Sequence, residues 1–169
     1  TRLGLDDKLP DCLVLAIELH DFGKARERWQ RAVSAPRDGV YAKTTSRGAG
    51  DLGGYRHEFG SLRDAMNPER YHNRVQRLDE PFQELALHLI AAHHGRVRPS
   101  IPAIDEDEKD VFRMILPETA FDAARRYVRL QRDWGPWGLA WLEALLRAAD
   151  ATVSRQLDNP DSRAAGTAE

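Results

Sequence analysis

The stretch LPDCLVLAIELHDFGK, Leu9 to Lys24, sets the fold class. Its apolar residues fall in two interleaved sets, Leu9, Leu13, Ile17 and Cys12, Ala16, Leu19, which together cover nearly the whole circumference of a helix. A helix that is apolar on nearly every side belongs in the middle of an all-α domain. It runs out at His20 and Asp21, so two side chains with ligand chemistry stand at the end of a buried helix.

Downstream, Lys24 to Val33 contains good helix formers with Ala25, Trp29 and Val33 at amphipathic spacing, which predicts a second short helix joined through the Asp21 turn. Ser34 to Gly54 carries Pro36, Gly39, Gly48, Gly50, Gly53 and Gly54 with few apolar residues, and reads as a long mobile loop of the kind used as a lid. Helical pattern resumes over Tyr55 to Met66, breaks at Pro68, and returns from Pro81 to His94 until Gly95 stops it. After a loop from Arg96 to Asp105, three more helices are expected at Glu106 to Leu116, Thr119 to Asp133 and Pro136 to Leu157, with Pro136 suited to a first turn. No segment alternates with period two, so no sheet is expected.

The 169 residues, 41% hydrophobic and 31% charged, suffice for one compact domain, placed at residues 1–158, with a frayed tail over 159–169. The longest apolar run, Cys12 to Ile17, falls far short of the roughly 20 residues that cross a bilayer, and the start lacks a signal-peptide pattern. Both point to a cytoplasmic chain without membrane partners. The single cysteine, Cys12, reads as a packing residue. A net charge of -2 excludes a sequence-independent DNA coat but leaves room for a local basic groove. The start at Thr1 suggests a piece of something longer.

Chemistry concentrates at helix ends: His20 with Asp21, then His57, then His93 with His94, and Asp150 inside the last helix. Imidazole and carboxylate are the ligands shared by Mn, Fe, Co, Ni and Zn, and two ions about 3.5 to 4 Å apart can clamp a phosphodiester and generate hydroxide. A carboxylate such as Asp21 can bridge a pair. Taken singly, His57 reads as a surface or core residue, while two imidazoles before Gly95 have little packing rationale. Asp150 lies among Leu145, Leu146, Ala148, Ala149 and Ala151, where a carboxylate needs a metal, an arginine such as Arg147 or Arg155, or solvent.

The ordered set of a His-Asp pair, a single His, a His pair and a late Asp resembles the signature of the HD superfamily. His20-Asp21-Phe22-Gly23-Lys24 followed by Trp29-Gln30 is similar to the corresponding segment of the nuclease domain of the CRISPR-associated helicase-nuclease. So are Arg56-His57-Glu58 with Ser61, Ala92-His93-His94-Gly95-Arg96, and Ala149-Asp150 with Ser154. The similarity spans Leu9 to Arg155.

That resemblance implies an all-α HD-superfamily fold and a metal-dependent nuclease that degrades single-stranded DNA. A helicase domain or subunit unwinds the target, which an RNA-guided surveillance complex selects. It implies one metal at His20, Asp21 and Asp150, and a second at His57, His93 and His94 with Asp21 as bridge. The ions expected are two divalent transition metals, Mn, Ni, Co or Fe, with Mg as a further option. Asp21 and Lys24 would be catalytic, Lys24 neutralising the scissile phosphate. Arg96 and Arg98, with Lys43 and Arg47 on the Gly-rich loop, stand where they could reach phosphates.

The chain departs from the family at one point. A further histidine is expected upstream of His20, and the nineteen residues there contain none. His72 and His88 are the substitutes to consider, although a structural role suits both better. Two other functions compete: an HD phosphohydrolase acting on nucleotides in a closed pocket, and a non-catalytic module that docks a helicase. Trp134, Trp137 and Trp141 could serve such docking, but their helical spacing reads as core.

Overall fold

Pro10 in the first turn and a run of good packing residues set helix α1 (Leu9–Leu19) in a computed structural model that describes residues 7–43, 50–95, 101–104 and 116–158. The helix buries Leu9, Cys12, Leu15, Ala16 and Leu19 but leaves Val14 more than half exposed, so it is covered on one side rather than all round. Cys12 packs as expected: its thiol donates to the carbonyl of Phe82 at 3.4 Å, and burial pushes its pKa up to about 12.

The element at the centre is the helix from Glu80 to Ala92. Every residue from Leu85 to His93 is buried, and this helix packs on α1, on the helix His57–Met66 and on the last helix. Numbered along the chain, α1 leads to a 3₁₀ turn (Phe22–Ala25), then α2 (Glu27–Ala32), α3 (His57–Met66), α4 (His72–Val75), α5 (Glu80–Ala92) and α6 (Leu116–Asp158). Among the described residues there is no strand, and no helix is long and apolar enough to cross a membrane.

Two expected boundaries move. The helix expected from Lys24 to Val33 is split at Arg26, whose backbone is extended (φ -62°, ψ 141°). The Arg26 guanidinium donates to the buried Asp64 carboxylate of α3 at 2.8 Å, and Arg70 also reaches Asp64. That pairing outweighs the helical preference of Arg26, which is favourable but amounts to only a fraction of a kcal/mol. The two last helices are arms of α6, separated at Gly135, whose φ of 67° is left-handed and whose successor Pro136 opens the second arm. The short α4, which buries Val75, was not expected.

The loop after α2 is fastened where it is described. Gln30 donates to the carbonyls of Lys24 and Tyr41 and accepts from the Tyr41 amide, while Arg28 donates to the carbonyl of Leu52. The expected core stripe of tryptophans fails in part. Trp134 is half-buried with its edge on Phe82, but Trp137 is 87% exposed and Trp141 45%. The helix expected at Glu106 to Leu116, apart from Leu116 itself, and the tail 159–169 lie outside the described residues.

Candidate metal centre

The site is built where three helix termini meet the 3₁₀ turn. Contact this close between turn and helix demands glycine: a Cβ on Gly23 would stand 2.0 Å from the His57 carbonyl oxygen, and one on Gly60 would stand 3.1 Å from the Gly23 Cα. Two hydrogen bonds fix the approach, the Gly23 amide to Ser61 Oγ at 2.8 Å and the Tyr55 hydroxyl to the Gly23 carbonyl at 2.6 Å. The first turn of α3 is thereby set against the end of α1, and His57 against Asp21.

The two oxygens of Asp21 face different ways. Oδ1 lies 3.3 Å from His57 Nε2 and 3.8 Å from His93 Nε2, while Oδ2 lies 3.5 Å from His20 Nε2 and accepts from Lys24 Nζ at 2.7 Å. His20 Nε2 also lies 3.4 Å from Asp150 Oδ1, so the second arm of α6 delivers Asp150 to the cluster. Its neighbour is this histidine rather than Arg147 or Arg155. One ligand atom each from His57, His93 and His94 forms a group within 4.8 Å, and His20, Asp21 and His93 form another. His93 stands in both.

The tautomers follow from the backbone. A carbonyl only accepts, so His20 Nδ1 donates to Ile17 at 2.6 Å and His93 Nδ1 donates to Ile90 at 2.7 Å. In the neutral ring this leaves Nε2 of both with a bare lone pair turned inward, as second-shell carbonyls arrange for metal-ligating histidines. His57 Nδ1 lies 3.4 Å from the carboxylate of buried Glu58, which Arg56 pairs.

Electrostatics point the same way. Burial holds the His93 pKa down to about 3, with the neighbouring His20, His94 and His57 lowering it further, so the ring is neutral at ordinary pH. Burial likewise lowers that of the exposed-edge His94, as does the charge of His57. Burial alone would raise the Asp21 carboxyl, but His57, His20 and Lys24 overcome it and hold the group well below the usual carboxylate range. Glu58 is lowered on balance too, Arg56 and His57 outweighing its burial.

Two atoms of this cluster, His20 Nε2 and Asp21 Oδ1, are buried without a hydrogen-bond partner. Orphaned acceptors beside further imidazole nitrogens fit a divalent transition ion, which takes nitrogen and carboxylate oxygen together. Beside His57 and His94 opens a cleft of about 580 Å³ lined also by Trp29, Arg56 and Glu58. The Trp29 ring meets His57 edge-on at 4.8 Å and lies 5.6 Å from Lys24 Nζ.

All of His20, Asp21, Lys24, His57, His93, His94 and Asp150 are thus brought together. Arg47, Arg96 and Arg98 lie outside the described residues, and Lys43 is exposed on its loop. Neither substitute for the upstream histidine joins the cluster: His88 is bound to Glu143 at 2.8 Å, and His72 belongs to neither group. Sequence reasoning missed the supporting roles of Gly60 and Tyr55, which carry no spacing signal, although Gly23, Gln30, Glu58 and Ser61 stand inside the family-like motifs.

No curated protein and no solved structure matches the chain. The family described as "Cas3, HD domain" matches over residues 2–165. That span takes in every helix of the fold, and the chain therefore belongs to this family of CRISPR-associated HD nucleases.

Proposed function

We propose that the chain hydrolyses phosphodiester bonds of single-stranded DNA at the helix-end cluster, in CRISPR interference and beside a helicase. One observation carries the reading: imidazole nitrogens of His20, His57 and His93 converge on Asp21, and two of the converging atoms have no hydrogen-bond partner. His20, Asp21 and Asp150 would hold one divalent ion, and His57, His93 and His94 a second, with Asp21 shared. Such ions supply Lewis acidity toward a phosphoryl oxygen and a nucleophilic water at neutral pH. A nitrogen-rich set favours Mn, Fe, Co, Ni or Zn over Mg.

The protein's own groups do the remaining work. Asp21 stays ionised across the working pH range and presents one oxygen to each side. Lys24, held at Asp21 Oδ2, keeps a positive charge beside the position of the reacting phosphate, where charge grows as the bond breaks. The open cleft at His57 and His94 leaves room for a strand to run past the cluster. Arg96 and Arg98, next in sequence after the histidine pair, are proposed to meet its phosphates, and an RNA-guided surveillance complex in the cytoplasm to supply the target.

A labelled single-stranded oligonucleotide incubated with the chain in Mn²⁺ or Ni²⁺ tests the reading. Metal-dependent cutting that Asp21→Ala removes is the expected result. Turnover of free nucleotides with DNA left intact would move the substrate to the small-molecule class. A second reading, a module that docks a helicase without cutting, is favoured by Trp137 and Trp141 standing in solvent on the second arm of α6. Helicase binding that survives Asp21→Ala, with no metal-dependent turnover in any preparation, would put that reading first.

A further inference from the structure

Arg147 stands one helical turn before Asp150 on α6, and no motif of the chain assigns it a role. Its guanidinium lies over the turn that follows the histidine pair. A Cβ placed on Gly95 would come within 2.8 Å of Arg147 Nη1, and Gly95 itself has a left-handed φ of 71°. The left-handed backbone favours glycine there, and the missing side chain leaves the guanidinium room to lie over the turn.

The acidic groups within one turn of Arg147 on its own helix are engaged elsewhere. Asp150 faces His20, and Glu143 is buried against His88. Among the described residues Arg147 makes no hydrogen bond or ion pair, and its side chain is exposed. Lys24 differs, because its ammonium is already bound to Asp21. Lys24 is thus committed to the cluster's own carboxylate, whereas Arg147 has its donors unspent among the described residues.

A net charge of -2 argues against a wide basic coat and leaves room for a local basic groove, so single cations beside the cluster matter for holding a polyanion. Guanidinium is well suited to this, because its planar fork of donors matches two phosphate oxygens at once and it carries charge at every pH of interest. We propose that Arg147 binds the phosphate next to the scissile one and so fixes where a nucleic-acid strand lies across the His-Asp cluster. This rests on the phosphodiesterase reading. It adds a positioning contact supplied by α6, one turn of helix before Asp150.

The test compares wild type, Arg147→Ala and Arg147→Lys. Binding of a fluorescent oligothymidylate to the metal-free protein is measured across a range of salt, and turnover of the same oligomer in Mn²⁺ follows. Arg147→Ala is expected to weaken binding about tenfold and to flatten the plot of log affinity against log salt by about 0.7, the loss of one phosphate contact. Arg147→Lys should keep the slope, since its charge remains, while losing part of the affinity. In turnover, KM should rise about tenfold for Arg147→Ala, by more than kcat falls. Mn²⁺ affinity and melting temperature should stay at wild-type values.

Wild-type binding and cutting that Arg147→Ala leaves unaltered would overturn the role of Arg147 alone. A matching fall in Mn²⁺ affinity and melting temperature would also overturn it, making Arg147 a packing residue. A wild type that neither binds nor cuts the oligomer would overturn the phosphodiesterase reading and this inference together.

Discussion

Two histidines, His88 within α5 and His93 at its C-cap, are both about 1% exposed and sit five residues apart in the chain. Their surroundings differ completely. His88 Nε2 meets the carboxylate of Glu143 at 2.8 Å, and its ring stacks on Tyr127. His93 Nε2 meets another imidazole nitrogen, that of His57, at 3.1 Å, with Asp21 beyond it. A nitrogen opposite a carboxylate is a finished interaction. With both Nδ1 atoms protonated, the second pair brings two lone pairs together, which is tolerable only with a proton or a cation between them. Burial and residue type are shared, so what separates a structural histidine from a functional one here is the chemistry of the atom it faces.

The largest expected effect breaks the second environment from outside. Gly23→Ala puts a Cβ 2.0 Å from the His57 carbonyl, and both are backbone positions that cannot rotate away. Turnover and metal binding should fall by at least about 100-fold, the cost of misplacing a catalytic group by roughly 1 Å. An alanine variant with wild-type Mn²⁺ affinity would show that the turn and α3 are not as tightly keyed as the contacts indicate.

Exchanging the two histidines sharpens the contrast. His93→Ala should lower metal affinity more than the 10- to 100-fold typical of losing a supporting group, with a small cost to the metal-free fold. His88→Ala should do the reverse, costing about 1–3 kcal/mol in chemical denaturation because Glu143 loses a buried partner, and leaving metal affinity near wild type. Equal effects of the two variants on metal affinity would dissolve the distinction.

The last effect is a pH dependence of the metal-free protein. His93 titrates at about 3 when folded against 6.5 in its unperturbed form, and Asp21 is also lowered. Between about pH 6.5 and 3 the unfolded chain binds more protons, so stability should decline as pH falls through that window. Thermal melts should show a shallower decline for His93→Gln. A slope identical to wild type would mean that His93 is not held neutral by its burial.

Legibility in the sequence varied with how local each cause was. α5 was plain because Phe82, Leu85, Ala86, Leu89 and Ile90 repeat at helical spacing and Pro81 and Gly95 bracket them. The break at Arg26 was not, since its cause is Asp64, which lies on another helix and reaches it only through folding. Helical spacing alone could not tell a core stripe from an exposed one, which is why Trp137 and Trp141 turned out as they did. The seven residues of the candidate site were nameable from the order of short motifs. Arg56, Glu58 and Gly23 stood inside those motifs too, but the contacts Glu58 makes with Arg56 and Tyr55 with Gly23 were not legible, because such pairings carry no periodic signal.

The contact between His20 and Asp150 has a topological consequence. It joins the end of the first helix to the second arm of the last, so the loop it closes encloses every other element of the fold. Closing a loop that long costs only logarithmically more entropy than closing a short one, and packing along α1 and α6 already holds the two ends together. During synthesis, His20, Asp21, His57, His93 and His94 all leave the ribosome well before Asp150. The cluster is complete only when nearly the whole fold has been made and α6 has docked, so an unfinished or locally unravelled chain carries most of these side chains without the full constellation.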